Sequence, residues 1–332
     1  SFTDSPPSAE SIMMNTPQSQ PLFDHAYLAP LEEDYTGLRI LAVHAHPDDE
    51  SSKGAASMAA YVQRGARVMV ASMTGGERGD ILNAEVDSNP AAYRDLPGVR
   101  RSEMKKAAEI LGVEHRWVGF VDSGLPEGDP LPPLPFGSFA TLPLEQAAAP
   151  LIRLVRDFKP HVILAYDEIG GYPHPDHIMS HRVAMEAYEK AGDATAYPET
   201  GAPWEVSKIY YDRAFNPDRM TTFHNYLVEQ GHESPCARWV AEAMEGDGKG
   251  HTPPVSRHKT TTRILAADHF DQRDAALLAH QSQIAPDSLF FAISPQDQSK
   301  IWPFEDYVLA FSRVSSQLPE TCFAAGIDYA AR

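Results

Sequence analysis

Short apolar runs of strand length alternate with amphipathic helical stretches through the first two thirds of the chain, and no other feature limits its fold so strongly. The first run, "LRILAVHA" (38–45), leads into "SSKGAASMAAYVQRGA" (51–66), where Ala55, Met58, Ala59 and Val62 recur at the i, i+3, i+4, i+7 spacing of one helix face. "RVMVASMT" (67–74) reads as a second strand. "RRSEMKKAAEILGV" (100–113) follows as a helix with Met104, Ala107, Ala108 and Leu111 on one side. "HRWVGFVD" (115–122) is a third strand, "LEQAAAPLIRLVRDFKP" (144–160) a helix facing inward through Leu151, Leu154, Val155 and Phe158, and "HVILAYDEI" (161–169) a fourth strand. Such alternation implies βαβ units with right-handed crossovers. The expected fold is therefore α/β, a Rossmann-like, mostly parallel sheet with helices on both faces.

Residues 1–36 are rich in Ser, Pro and acidic side chains and lack sustained periodicity, so they read as a flexible arm, with a docked piece around Leu22 to Leu28. Residues 37–332 read as one domain with an elaborated C-terminal third. There "HIMSHRVAMEAYEKAG" (177–192) is a helix and "SKIYYDRAF" (207–215) a further strand. "DQRDAALLAHQSQI" (271–284) and "SKIWPFEDYVLAFSRV" (299–314) are expected as two late helices.

Composition removes several functions. With 28 basic against 46 acidic residues and no Lys/Arg-rich cluster, neither nucleic acid nor an anionic membrane surface is a fitting partner. No apolar run reaches the roughly eighteen residues of a membrane span. Without a secretory signal pattern, and with two cysteines far apart, the expected location is the cytoplasm.

Open parallel sheets bind ligands outside the carboxyl ends of their strands. "HAHPDDES" (44–51) ends the first strand and "DEIGGYPHPDHIMSH" (167–181) follows the fourth, so two ionisable clusters fall on one rim. His46 and Asp49 are three residues apart, as are His174 and His177. One imidazole from each cluster plus one carboxylate make a His₂Asp set, the three-ligand arrangement of a catalytic zinc. Of Asp48 and Asp49, the carboxylate left over can accept a proton from water. His181 could replace His177 as ligand, His44 reads as a packed histidine, and Glu50 suits a helix N-terminus. The chain has no G-x-G-x-x-G after its first strand and no G-x-S-x-G elbow.

"AHPDDE" (45–50) together with "GGYPHPDH" (170–177) resembles the LmbE-like (PIG-L) family of zinc-dependent N-acetylglucosaminyl deacetylases and related amidases. "TGGERGDILN" (74–83), "RRSEMKKAAEILGVEHRWVGFVDSGLPEGD" (100–129) and "LLAHQSQI" (277–284) are similar to its amidase branch. The resemblance implies His46, Asp49 and His177 as metal ligands, with Zn²⁺ or Fe²⁺ bound, and Asp48 as general base. It implies His174 as oxyanion stabiliser or acid, and Tyr172 as a mobile group that polarises the carbonyl. Lys53 and Asp122 become substrate contacts. The implied substrate is a small-molecule thiol conjugate, a glucosaminyl-inositol pseudo-disaccharide acylated by S-substituted N-acetylcysteine. Deacetylation of the N-acetylated sugar is the rival reaction. A non-haem iron oxygenase would call for a β-barrel. A silent binding module would be expected to lack Asp48 or His174.

Overall fold

The computed structural model describes residues 28–237, 256 and 258–332. Its strands are β1 (Arg39–His44), β2 (Arg67–Thr74), β3 (Glu114–Phe120), β4 (Val162–Ala165), β5 (Lys208–Asp212), β6 (Thr262–Leu265) and β7 (Phe304–Ser312). They form one sheet in the order β3-β2-β1-β4-β5-β7-β6. The first five run parallel, and β7 lies antiparallel to both β5 and β6. The fold is thus the expected α/β sandwich, closed on one side by an antiparallel pair.

Alternate residues of β1 serve two cores. Ile40 and Ala42 pack with α2 (Ala55–Gln63), α3 (Leu96–Leu111) and α7 (Phe270–Ala279) through Met58, Met104, Leu111 and Phe270. Leu41 and Val43 pack with α4 (Leu144–Phe158) and α5 (Pro175–Lys190) through Leu151, Val155, Met179 and Val183. A strand covered on both faces has no polar side, which is why these strands read as unbroken apolar runs. Among the described residues no helix is long and apolar enough to cross a membrane.

Several expectations are corrected. The helix predicted over 51–66 is two helices, α1 (Asp49–Ser52) and α2, because Lys53 is extended and Gly54 takes φ +81°. The segment 299–314 is not a helix: α8 (Pro295–Ile301) ends just before Pro303, which cannot continue it, and Phe304–Ser312 is β7. β7 is buried between two strands, with Val308 and Leu309 on opposite faces, so its apolar run carries no strand periodicity. β6, four residues long, lies where the sequence shows no strand. Within the segment predicted as a flexible arm, Leu31 and Tyr35 are buried, the latter stacked at a tilt on Tyr61 with ring centres 4.8 Å apart. Of the docked piece, Leu28 packs against the apolar cluster around Met220 and Phe304, and residues 22–27 lie outside the described residues.

Gly54 makes the break between α1 and α2 possible. A Cβ there would sit 2.7 Å from the Tyr307 hydroxyl and would force a side chain into the left-handed region. Gly54→Ala is therefore expected to lower stability by about 1–2 kcal/mol from backbone strain alone, with the clash adding to it, as read from the midpoint of urea unfolding.

Candidate metal centre

The chain builds outward from β1 to β3, then returns to lay β4 against the other side of β1. The strand order reverses between β1 and β4, and at such a switch point the loops part and leave a crevice. Both ionisable clusters enter it: Asp48 and Asp49 begin α1 just after β1, and His174 and His177 begin α5 after β4.

Tyr166 stitches the two strand ends together. Its hydroxyl receives the Ala45 N–H (2.8 Å) and donates to Asp49 Oδ2 (2.5 Å), which also accepts the His46 N–H (3.2 Å). His177 Nε2 lies 3.3 Å and His46 Nδ1 3.9 Å from the same oxygen. His46, Asp49 and His177 each offer a ligand atom within 4.8 Å of the others, and all three are buried.

The remaining ring nitrogens are already committed. His177 Nδ1 faces the Gly170 carbonyl at 2.9 Å, which can only accept, so that nitrogen carries a proton and Nε2 is the atom turned toward Asp49. His46 Nε2 donates to Asp176 Oδ2 (2.9 Å) and lies 3.3 Å from Asp122 Oδ1. A carboxylate behind a histidine ligand fixes its tautomer and raises its basicity. Three carboxylates, Asp49, Asp122 and Asp176, crowd the His46 ring at 2.9–3.9 Å, a concentration of negative charge that a divalent cation would offset. A His₂Asp group in such a setting could hold a metal ion.

Asp48 caps α1 in the left-handed conformation, φ 115°. Its N–H donates to Glu50 Oε1 (2.9 Å), and Glu50 is itself held by the Ser51 hydroxyl and by His280 Nε2 at 2.9 Å. Arg100 reaches across from α3 to the carbonyls of Pro47 (2.5 Å) and Gly76 (2.6 Å), with its guanidinium 3.9 Å from Asp48 Oδ1. Burial and the charge of Asp49 raise the Asp48 carboxyl to about 6.

His174 caps α5: its Nδ1 accepts the Asp176 N–H at 3.0 Å, which leaves Nε2 to carry the proton of the neutral ring. Burial and the neighbouring His46 and His177 lower its pKa to about 3. Tyr172 is 43% exposed, its ring 4.8 Å from that of His177, and burial of its hydroxyl keeps the phenol protonated to about 12. Both line an open cleft of about 620 Å³, together with Asp48, Asp122, Arg78, Arg100 and Gln283.

Lys53 does not line this cleft. It is buried, its Nζ 3.3 Å from Asp49 Oδ1 and 5.7 Å from the centre of the Phe215 ring. Asp122 does line it, but its carboxylate also takes the N–H groups of Arg78 (2.9 Å) and Gly124 (2.8 Å) beside His46. His181 is not part of the His46–Asp49–His177 group; its Nδ1 meets the Tyr166 carbonyl at 3.0 Å. His44 is packed, as expected, against Tyr166. Glu50 is wholly buried against His280 rather than merely favouring a helix end.

Residues 41–188 match the model of the PIG-L family, described as GlcNAc-PI de-N-acetylase. The chain is 49% identical over 292 residues to mycothiol S-conjugate amidase of Streptomyces coelicolor, covering 87% of this chain and 97% of that one. It belongs to the PIG-L family. A second relative, the 1D-myo-inositol 2-acetamido-2-deoxy-alpha-D-glucopyranoside deacetylase of Streptomyces avermitilis, is 35% identical, covering 83% of this chain and 93% of its own. Among solved structures, N,N'-diacetylchitobiose deacetylase from Pyrococcus horikoshii shares the fold at a TM-score of 0.53 and 17% identity, covering 81% of this chain and 82% of that one. A 4-carboxy-2-hydroxymuconate hydratase from Pseudomonas putida also shares it, at TM-score 0.52 and 17% identity, covering 85% and 99%. The fold alone thus does not specify the reaction.

In this PIG-L member Asp176, Tyr166, Arg100 and His280 join the site without a signal of their own in the sequence. Asp176 lies inside "PHPDH", but nothing in that spacing says that its carboxylate turns back to His46. Removing it should loosen His46 without deleting a candidate ligand. Asp176→Ala is expected to weaken metal affinity about 10–100-fold, measured by competition with a chromogenic chelator, whereas His181→Ala should leave affinity unchanged.

Proposed function

We propose that this protein is a metal-dependent amidohydrolase that cleaves the amide of mycothiol S-conjugates, releasing glucosaminyl-inositol and an N-acetylcysteine S-conjugate. The observation that carries the reading is the 49% identity along 97% of the Streptomyces coelicolor amidase. Zn²⁺ is the proposed occupant of His46, Asp49 and His177, and Fe²⁺ suits the same donors. When bound, the ion supplies Lewis-acid chemistry, polarising a carbonyl and making water acidic near neutral pH.

The protein's own groups then divide the work. Asp48, whose carboxyl lines the cleft beside Asp49, takes the proton as water attacks the amide carbon. His174 donates from Nε2 to the oxyanion. Because its Nδ1 is occupied by the Asp176 N–H, the ring stabilises charge without taking a second proton. Asp48, now protonated, is left as the group that returns a proton to the departing amine. Tyr172, still a phenol at neutral pH, is a second donor to the carbonyl oxygen. Asp122, beside Arg78 and Arg100 in the cleft wall, contacts the sugar. Lys53, buried with its Nζ 3.3 Å from Asp49 Oδ1, is the proposed specificity residue.

Asp48→Ala should lower kcat about 10²–10⁴-fold while keeping the metal, whereas Asp49→Ala should lose both; turnover and metal content measured together decide this. Lys53→Ser should depress S-conjugate cleavage more than acetyl cleavage. The decisive experiment compares amine release from a mycothiol S-conjugate and from the N-acetylated sugar. Faster release from the acetylated sugar would transfer the assignment to the deacetylase activity named for the Streptomyces avermitilis relative.

A further inference from the structure

Glu50 and His280 are fully buried ionisable groups that the mechanism above does not use. A buried carboxylate is costly unless it is paired and hydrogen-bonded, so where its bonds end says what it is for. Oε2 of Glu50 accepts from the Ser51 hydroxyl and, at 2.9 Å, from His280 Nε2, 230 residues away in the chain. Oε1 accepts the backbone N–H of Asp48, also at 2.9 Å. The pair therefore ends on the residue proposed to take the proton from water.

That residue needs holding. Asp48 has φ 115° and ψ −29°, a conformation that a non-glycine residue keeps only where its surroundings over-determine it. Its carbonyl accepts from the N–H groups of Ser51 (2.9 Å) and Ser52 (3.1 Å) in α1, but a helix of four residues is too short to impose strain on its own cap. The Pro47–Asp48 peptide is gripped at both poles instead: Arg100 donates to its carbonyl and Glu50 accepts its N–H. Behind Glu50 the support continues. The His280 carbonyl, just past α7, takes the N–H groups of Gln283 (3.0 Å) and Ile284 (2.9 Å). In the same turn Ser282 donates its N–H (2.7 Å) and its hydroxyl (2.5 Å) to Glu103 of α3. His280 is thus aimed at Glu50 from a turn clamped to a helix of the core.

Resting on the reading of Asp48 as general base, we propose that Glu50 and His280 are positioning residues for it: they hold the Asp48 backbone in the left-handed conformation that presents its carboxyl to the cleft. Neither lines the cleft. Their effect on the reaction runs through Asp48, whose oxygen must meet water within hydrogen-bond reach, and a misplacement of about 1 Å can cost about 10²-fold in rate.

The test measures kcat, KM and metal content of the full chain for amine release from a mycothiol S-conjugate. Glu50→Ala should lower kcat by about 10²-fold, with KM and metal content at their wild-type values. Glu50→Gln keeps an acceptor for the Asp48 N–H and should recover about tenfold or more of that loss. In the Asp48→Ala, Glu50→Ala double variant, removing Glu50 should lower kcat no further than Asp48→Ala alone, because residues that act as a unit do not contribute additively. His280→Ala should give the same pattern with a loss of about tenfold, and it carries the comparison if Glu50→Ala does not fold. Losses that multiply in the double variant, metal lost in step with kcat, or wild-type kcat in Glu50→Ala overturn the positioning role while leaving Asp48 as base. Wild-type kcat in Asp48→Ala overturns the general-base reading and this proposal with it.

Discussion

The carboxylate of Asp49 is the point on which the rim depends. Tyr166 from the end of β4, the backbone of His46 and the rings of His46 and His177 all converge on one of its oxygens, and Lys53 takes the other. Parallel strands β1 and β4 are neighbours in the sheet but distant in sequence, and nothing in the ladder holds their ends beyond Ala165. The Tyr166 hydroxyl does so by accepting from Ala45 and donating to Asp49 at once. A buried carboxylate with that many partners is costly to disturb, since removing one partner leaves others unpaired. The crevice at the switch point is therefore a fixed distance wide, and two histidines can be aimed across it.

Behind this point the site is held from elements far away in the chain. Asp48 occupies a left-handed backbone conformation that a non-glycine residue adopts only when its surroundings over-determine it. Two anchors do this: Glu50 takes its N–H and is pinned by His280 from the end of α7, and Arg100 from α3 grips the carbonyl of Pro47. The result is an acid beside Asp49, facing the cleft, with its backbone held from two sides. Rigidity of this kind suits the general base proposed for Asp48, because its oxygen must meet water within hydrogen-bond reach.

The parallel half of the fold was legible because its chemistry is local. Strands buried on both faces announce themselves as apolar runs, and the loops after β1 and β4 carry their histidines and aspartates within a few residues. What failed to show was tertiary. β7 has the composition of a helix as readily as of a strand until its neighbours β5 and β6 are known, and β6 is too short to carry a pattern. Lys53 sits next to "HPDDES", but its direction follows from Gly54, whose left-handed turn breaks the helix the spacing predicts. Asp176 and His280 act through pairs separated by 130 and 230 residues, a distance at which spacing conveys nothing.

The antiparallel addition of β7 also changes what the rim can offer. In a purely parallel sheet each strand delivers only its carboxyl-terminal loop to the ligand side. Because β7 runs the other way, its amino end brings Phe304 and Tyr307 to the rim, and α6 (Pro217–Glu229), following β5, lays Met220 and Phe223 beside them. Tyr307 then meets α2 through Ser57 (3.0 Å) and crowds Gly54, so the apolar side of the rim is tied to the turn that carries Lys53. The His46–Asp49–His177 group thus lies beside the polar cleft, and the Lys53–Gly54 turn connects it to the apolar side of the rim.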